Sequence, residues 1–172
     1  ARKPRWSLHA RITLLSTAAL IVIGVVCVTA FEWANPATLG GLDMFDKVLA
    51  GWFQGVTPRT AGFNTIDIGG MHESTLVVTA ILMFIGAGPA STSGGIKVTT
   101  FAVLAFALWS EVRGNPDVNA FRRRIPPGAV RQGLTVVLLS IGLAIVAALA
   151  IMGLDDLTLA PALFEVTHAF GT

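Results

Sequence analysis

Between Ile12 and Phe31 the chain runs for twenty residues without a charge. As a helix this run would be about 30 Å long, the thickness of a bilayer's hydrocarbon core. A second uncharged run, Leu134–Met152, has nineteen residues. Only 13% of the residues are charged, whereas a soluble domain carries about a quarter. A cleaved leader does not explain the first run, which exceeds the ~7–15 apolar residues of a secretory core and is followed by further apolar segments. The expectation is an all-α membrane protein lodged in a lipid bilayer. The lone Cys27 lies inside the first run and reads as a packing residue; neither a disulfide framework nor a zinc spacing is present.

The basic residues fall in two clusters. Arg2, Lys3, Arg5 and Arg11 precede the first run, and Arg113, Arg122, Arg123, Arg124 and Arg131 precede the last. The stretches 32–46 and 64–74 hold acidic residues and no Lys or Arg. The positive-inside rule then puts the N-terminus and the 113–131 loop in the cytoplasm. Each cluster abuts an apolar run, which argues against nucleic acid as their partner.

A chain with both clusters on one side must leave and return between 12 and 112. The return falls in Thr75–Trp109, thirty-five nearly uniformly apolar residues, about 52 Å as one helix and too long for a ~30 Å core. Its middle, Gly86-Ala87-Gly88-Pro89-Ala90-Ser91-Thr92-Ser93-Gly94-Gly95, breaks helices. Two half-length helices, Glu73–Phe84 and Ile96–Glu111, are expected around a non-helical segment at membrane depth, tolerated there only when buried in protein or facing water. Leu42–Gln54 has its apolar residues at helical spacing and is too short to cross, so it reads as a re-entrant helix. The pattern then restarts: Leu134–Met152 leads outward, Asp155 and Asp156 mark an external turn, and Leu157–Phe170 is a second short helix. Residues 1–112 form one complete span–re-entrant helix–span unit, 113–131 a cytoplasmic linker, and 132–172 part of another unit. A half-unit cannot close a pore, so the chain is expected to be a piece of a longer protein.

Directly after the first short helix comes Thr57-Pro58-Arg59-Thr60-Ala61-Gly62-Phe63-Asn64-Thr65. A cation crossing a membrane exchanges its water for oxygens, which selectivity filters supply from backbone carbonyls. Such a loop needs a residue able to reach unusual φ and ψ (Gly62), small neighbours such as Thr60 and Ala61, and a helix to aim it. The alternative is an ordinary external loop.

The segments Pro58–Thr65 and Phe84–Lys97 resemble the membrane subunits of the Trk/Ktr/HKT potassium-transporter superfamily, most closely the Ktr type. The resemblance covers nearly the whole chain. It implies four such units around a central pore, of which 1–112 is similar to the third and 132–172 to the fourth. Thr60, Ala61, Gly62 and Phe63 would then supply filter carbonyls, with Arg59 and Asn64 supporting them, and Gly171 and Thr172 would open the fourth filter. Gly88, Pro89, Ala90, Ser91, Thr92, Ser93, Gly94 and Gly95 would form an intramembrane gating loop, followed by Lys97. Gly88, Ala90 and Ser93 stand where the family has Ser, Gly and Gly. The resemblance further implies K⁺ as the transported ion, with Na⁺ as a possible activator. It implies a homodimer of full-length subunits in a bacterial cytoplasmic membrane, served by a cytoplasmic nucleotide-binding ring of RCK type. No phosphate-binding glycine motif occurs, so this chain needs no cofactor of its own.

Arg59 is expected to turn away from the ion toward an acidic or carbonyl partner. Lys97 reads either as an electrostatic barrier or as a side chain snorkelling to the cytoplasmic face. Lys47 and His72 read as solvated, and His168 as a packed or hydrogen-bonded residue in a position where the family usually has Ser. The only protein-held ion expected is K⁺ at filter carbonyls, and no Ser/His/Asp arrangement supports an enzyme. Two other functions compete with a channel-like transporter. One is a secondary transporter binding substrate at the unwound Gly86–Gly95 segment. The other is a non-conducting membrane domain.

Overall fold

The computed structural model describes residues 7–59, 62–89, 94–114, 117–120, 123–154 and 157–171. Helix α1 spans Leu8–Glu32 and is capped by Ser7, whose hydroxyl accepts the N–H of Ala10 at 3.1 Å. It is followed by α2, Met44–Val56, a 3-10 turn at Ile68–Gly70, and α3, Glu73–Phe84. After a break comes α4, Val98–Val112, then α5, Pro127–Leu154, and α6, Leu159–Gly171. Pro127 opens α5, a position where its missing N–H costs nothing.

α1 and α5 are long and apolar enough to cross a membrane, and only 17% and 11% of their most apolar windows are covered by protein. A soluble core helix would be mostly buried. Instead Leu138, Leu139, Leu143, Val146 and Leu149 lie exposed along α5, a surface suited to hydrocarbon.

α1 packs on α2, α3 and α4, and α6 fits between α3 and α5. The crossing of α1 and α2 is a glycine seam. A Cβ on Gly24 would lie 2.6 Å from the Gly55 carbonyl oxygen, and one on Gly55 would lie 2.5 Å from the Val25 Cα. Here backbone meets backbone. The buried face of α2 is accordingly Gly51, Gln54 and Gly55, while its apolar stripe of Met44, Phe45, Val48, Leu49 and Trp52 points outward.

The half-helices around the break match the expectation closely. α3 has the expected bounds, and α4 starts two residues late because Ile96 and Lys97 pair as a short strand. β1 (Ile85–Gly86) and β2 (Ile96–Lys97) form a parallel ladder, Ile85 opposite Ile96 and Gly86 opposite Lys97. α5 begins inside the stretch expected to be linker, since its first turns carry Arg131 and Gln132 on exposed positions that an uncharged-run criterion leaves out. A second small ladder, β3 (Asn119–Ala120) with β4 (Arg123–Arg124), folds the linker back under α4. There Ser110 donates to the Asp117 carbonyl at 2.7 Å and Arg124 pairs with Asp117 at 2.7 Å.

Candidate functional site

The loop after α2 begins with a firm helix stop. Thr57 donates both its N–H (3.0 Å) and its hydroxyl (3.1 Å) to the Phe53 carbonyl, and Pro58 cannot continue the ladder. Arg59 donates its backbone N–H to Val56. Its side chain is half-buried. Gly62 adopts φ +74°, a left-handed conformation that costs other L-residues roughly 1–2 kcal/mol. Asn64 donates its side-chain amide to the Ile66 carbonyl at 3.2 Å, pinning the return of the loop. Gly62, Phe63 and Asn64 are exposed.

This loop and the end of α6 share one cavity of about 250 Å³. Gln54, Thr57, Gly62 and Asn64 line one wall, Met83, Phe164 and His168 the other. His168 stacks on Phe164 with ring centroids 6.2 Å apart, though it is exposed rather than packed away.

The break between α3 and α4 is bonded internally. Besides the ladder, Val98 donates its N–H to Ala87 at 3.2 Å, and Gly95 donates to Phe170, near the end of α6, at 3.1 Å. Gly95 sits at φ +69° with space for no Cβ: one would lie 2.9 Å from the Phe84 carbonyl oxygen. Gly94 is pressed against the Phe170 carbonyl. Phe84 and Phe170 stack at 5.7 Å.

At the other end of α3, Glu32 is fully buried and binds α1 to α3. Its Oε1 accepts the N–H of His72 (3.0 Å) and the hydroxyl of Thr75. Oε2 accepts Thr38 Oγ1 and Asn35 Nδ2, both at 2.6 Å. Asn35 also donates to the Gly70 carbonyl at 2.8 Å. Four donors converge on one carboxylate, which lets a charge stay buried.

Arg59 lies in the turn that ends α2, Gly62, Phe63 and Asn64 follow as irregular backbone, and Gly94, Gly95 and Lys97 lie on the far side of the break with Gly88 and Pro89 on the near side. Thr60, Ala61, Ala90, Ser91, Thr92, Ser93 and Thr172 lie outside the described residues. Gly171 departs from expectation. It is the last residue of α6 rather than extended backbone, and it is held against α3, where an added Cβ would lie 2.7 Å from the Met83 carbonyl oxygen. Lys47 also departs: it is half-buried, donates to the Trp33 carbonyl at 3.2 Å and lies over that ring at 5.3 Å. His72 is exposed and lends only its backbone N–H to Glu32. The sequence reading passed over Glu32, Gln54 and the seam glycines. Glu32 had a signal, an acid abutting the end of a twenty-residue uncharged run.

The family model described as "TrkH: Cation transport protein" matches residues 6–172. The chain belongs to this cation transport protein family. It is a transport protein chain, not an enzyme. The Ktr system potassium uptake protein B of Bacillus subtilis (strain 168) is 41% identical over 167 residues, covering 97% of this chain and 38% of the relative. The protein of the same name from Vibrio alginolyticus is 35% identical, over 96% of this chain and 36% of its own length. The potassium/sodium uptake protein NtpJ of Enterococcus hirae is 32% identical, over 99% of this chain and 39% of its own. The chain thus spans somewhat over a third of these curated relatives. Within the family it is KtrB-like.

Proposed function

We propose that this chain contributes one complete filter-bearing unit and part of a second to a K⁺ uptake pathway. In this reading α2 is a re-entrant pore helix, the loop from Thr57 to Thr65 is a quarter of a selectivity filter, and residues 88–95 form a gate. Residues 1–112 are the third unit of four, 113–131 a cytoplasmic linker and 132–172 the start of the fourth. The observation that carries the reading is Gly62 at φ +74° in the loop directly following a short helix seated by glycines against a spanning-length helix. A backbone reversed at that point aims successive carbonyls toward one side, the arrangement that replaces a hydration shell. The names of the relatives supply potassium as the ion.

The secondary-transporter alternative is less well supported. Among the described residues, the backbone at the two ends of the break spends hydrogen bonds on the β1–β2 ladder, on Ala87 and on Phe170, groups that a substrate bound at an unwound helix would use. The positive-inside pattern favours a cytoplasmic N-terminus and a cytoplasmic β3–β4 linker. That face suits a homodimer served by a nucleotide-binding ring.

The test is K⁺ or Rb⁺ flux through the full-length transporter in liposomes. Wild-type flux that is lost or made indifferent to K⁺ over Na⁺ by Gly62→Ser is the expected result. No flux, or flux unchanged by the substitution, overturns the reading.

A further inference from the structure

Gln54 points the wrong way for an amphipathic helix. It sits on the covered side of α2, 2% exposed, and its Oε1 accepts no hydrogen bond among the described residues. Buried acceptors are almost always partnered, because an unpaired one has given up its water for nothing. Gln54 borders the cavity of about 250 Å³ behind Gly62 and Asn64, and at roughly 30 Å³ per molecule several waters fit.

The chemistry of the wall identifies the guest. Thr57 has given its hydroxyl proton to Phe53, and Asn64 one of its two amide hydrogens to Ile66, so their oxygens remain as acceptors. With Gln54 Oε1 the wall offers three acceptor oxygens beside the amide N–H groups of Gln54 and Asn64 and carries no carboxylate, which suits a neutral molecule that both donates and accepts rather than a metal ion. The loop brings donors to the same cavity. The N–H groups of Gly62, Phe63 and Asn64 donate to no protein group among the described residues, and a backbone N–H needs an acceptor. Water donates to the wall and accepts from the loop.

We propose that Gln54 is a positioning residue that anchors buried water behind the loop and thereby holds its carbonyls toward the ion. The inference rests on the filter reading given above. Gln54 acts through the water and touches no ion itself.

Two variants of the full-length transporter test it, with K⁺ and Na⁺ flux measured in liposomes. Gln54→Met keeps the side chain's length and removes the acceptor; Gln54→Asn keeps the neutral amide and its acceptor oxygen one methylene shorter. The Met variant is expected to lose about tenfold of the K⁺ over Na⁺ preference, while the Asn variant, whose site a water can still bridge, stays within about threefold of wild type. High-resolution cryo-EM density is expected to place water within hydrogen-bond distance of Gln54 in the wild type and to lack it in the Met variant. A Met variant with wild-type preference, equal losses in both variants, or an empty cavity in the wild type each overturns the inference while leaving the filter reading standing. A wild type that does not discriminate K⁺ from Na⁺ overturns both.

Discussion

Gly95 donates its backbone N–H to the Phe170 carbonyl across 3.1 Å, so the break in the α3–α4 segment is tied to the end of α6. In the proposed scheme the bond joins two repeats of the same pattern, one complete and one partial. It also runs close to the cavity behind Gly62: the Met83 side chain lines that cavity, and its carbonyl oxygen lies 3.1 Å from where a Cβ on Gly95 would sit. In the proposed scheme, freeing the break from α6 opens the path below the filter.

Gly94→Ala is expected to break that attachment. Its added methyl would run into the Phe170 carbonyl oxygen, a backbone atom with no freedom to swing aside. K⁺ flux through the full-length transporter should rise several-fold, as it should when residues 88–95 are deleted. Gly128→Ala, where nothing lies within 4 Å of the new atom, serves as the control. Flux that falls or stays level removes the gating role.

Glu32→Gln is expected to destabilise the fold by about 3 kcal/mol, since hydrogen bonds to a charged group are worth about 1.5–3 kcal/mol each. Both carboxylate oxygens receive two donors, so an amide must aim its NH₂ at a pair of them. Thermal unfolding in detergent measures the loss; an unchanged melting temperature contradicts the clamp.

Gly55→Ala sets two effects against each other. Alanine is better in a helix by about 1 kcal/mol, but the methyl would lie 2.5 Å from the Val25 backbone, and overpacking costs typically 1–3 kcal/mol and more where backbone must move, as here. The net expectation is a lower melting temperature. Gly142→Ala, in open space on α5, should raise stability by about 0.5–1 kcal/mol.

At Gly62 there is room for a side chain, since nothing lies within 4 Å of an added Cβ, and the constraint is the φ of +74° alone. Asparagine tolerates that region better than serine. Gly62→Asn is therefore expected to keep more K⁺ flux than Gly62→Ser. Equal flux from the two would show that the backbone angle is not what matters.

The long helices and the break were readable because charge and glycine act locally. An uncharged run of bilayer length, or an interruption rich in glycine with a proline, allows few backbone solutions, and α3 falls on its expected bounds. Which face of α2 is covered was not readable. Periodicity picks out Met44, Phe45, Val48, Leu49 and Trp52, yet in a bilayer an apolar stripe need not face protein, and close helix crossings favour small residues. Glycines 51 and 55 therefore mark the packed side, and Gln54 came with them unnoticed. Likewise the resemblance of Gly171 to a filter residue could not reveal that Met83 holds it in the last turn of α6, because that contact joins residues far apart in the chain.

The glycine seam between α1 and α2 has a mechanical consequence. With backbone on backbone at Gly24 and Gly55, and the β-branched Thr29 side chain seated against Gly51, the crossing leaves little rotamer freedom to absorb a tilt, so the short helix moves with the long one. The break meets α6 over a smaller area: its described residues reach it through the Gly95 hydrogen bond to Phe170 and the fit of Gly94 against the same carbonyl. In the proposed scheme, discrimination among ions is built on the stiff seam, and the response to signals from the cytoplasm falls to this smaller attachment.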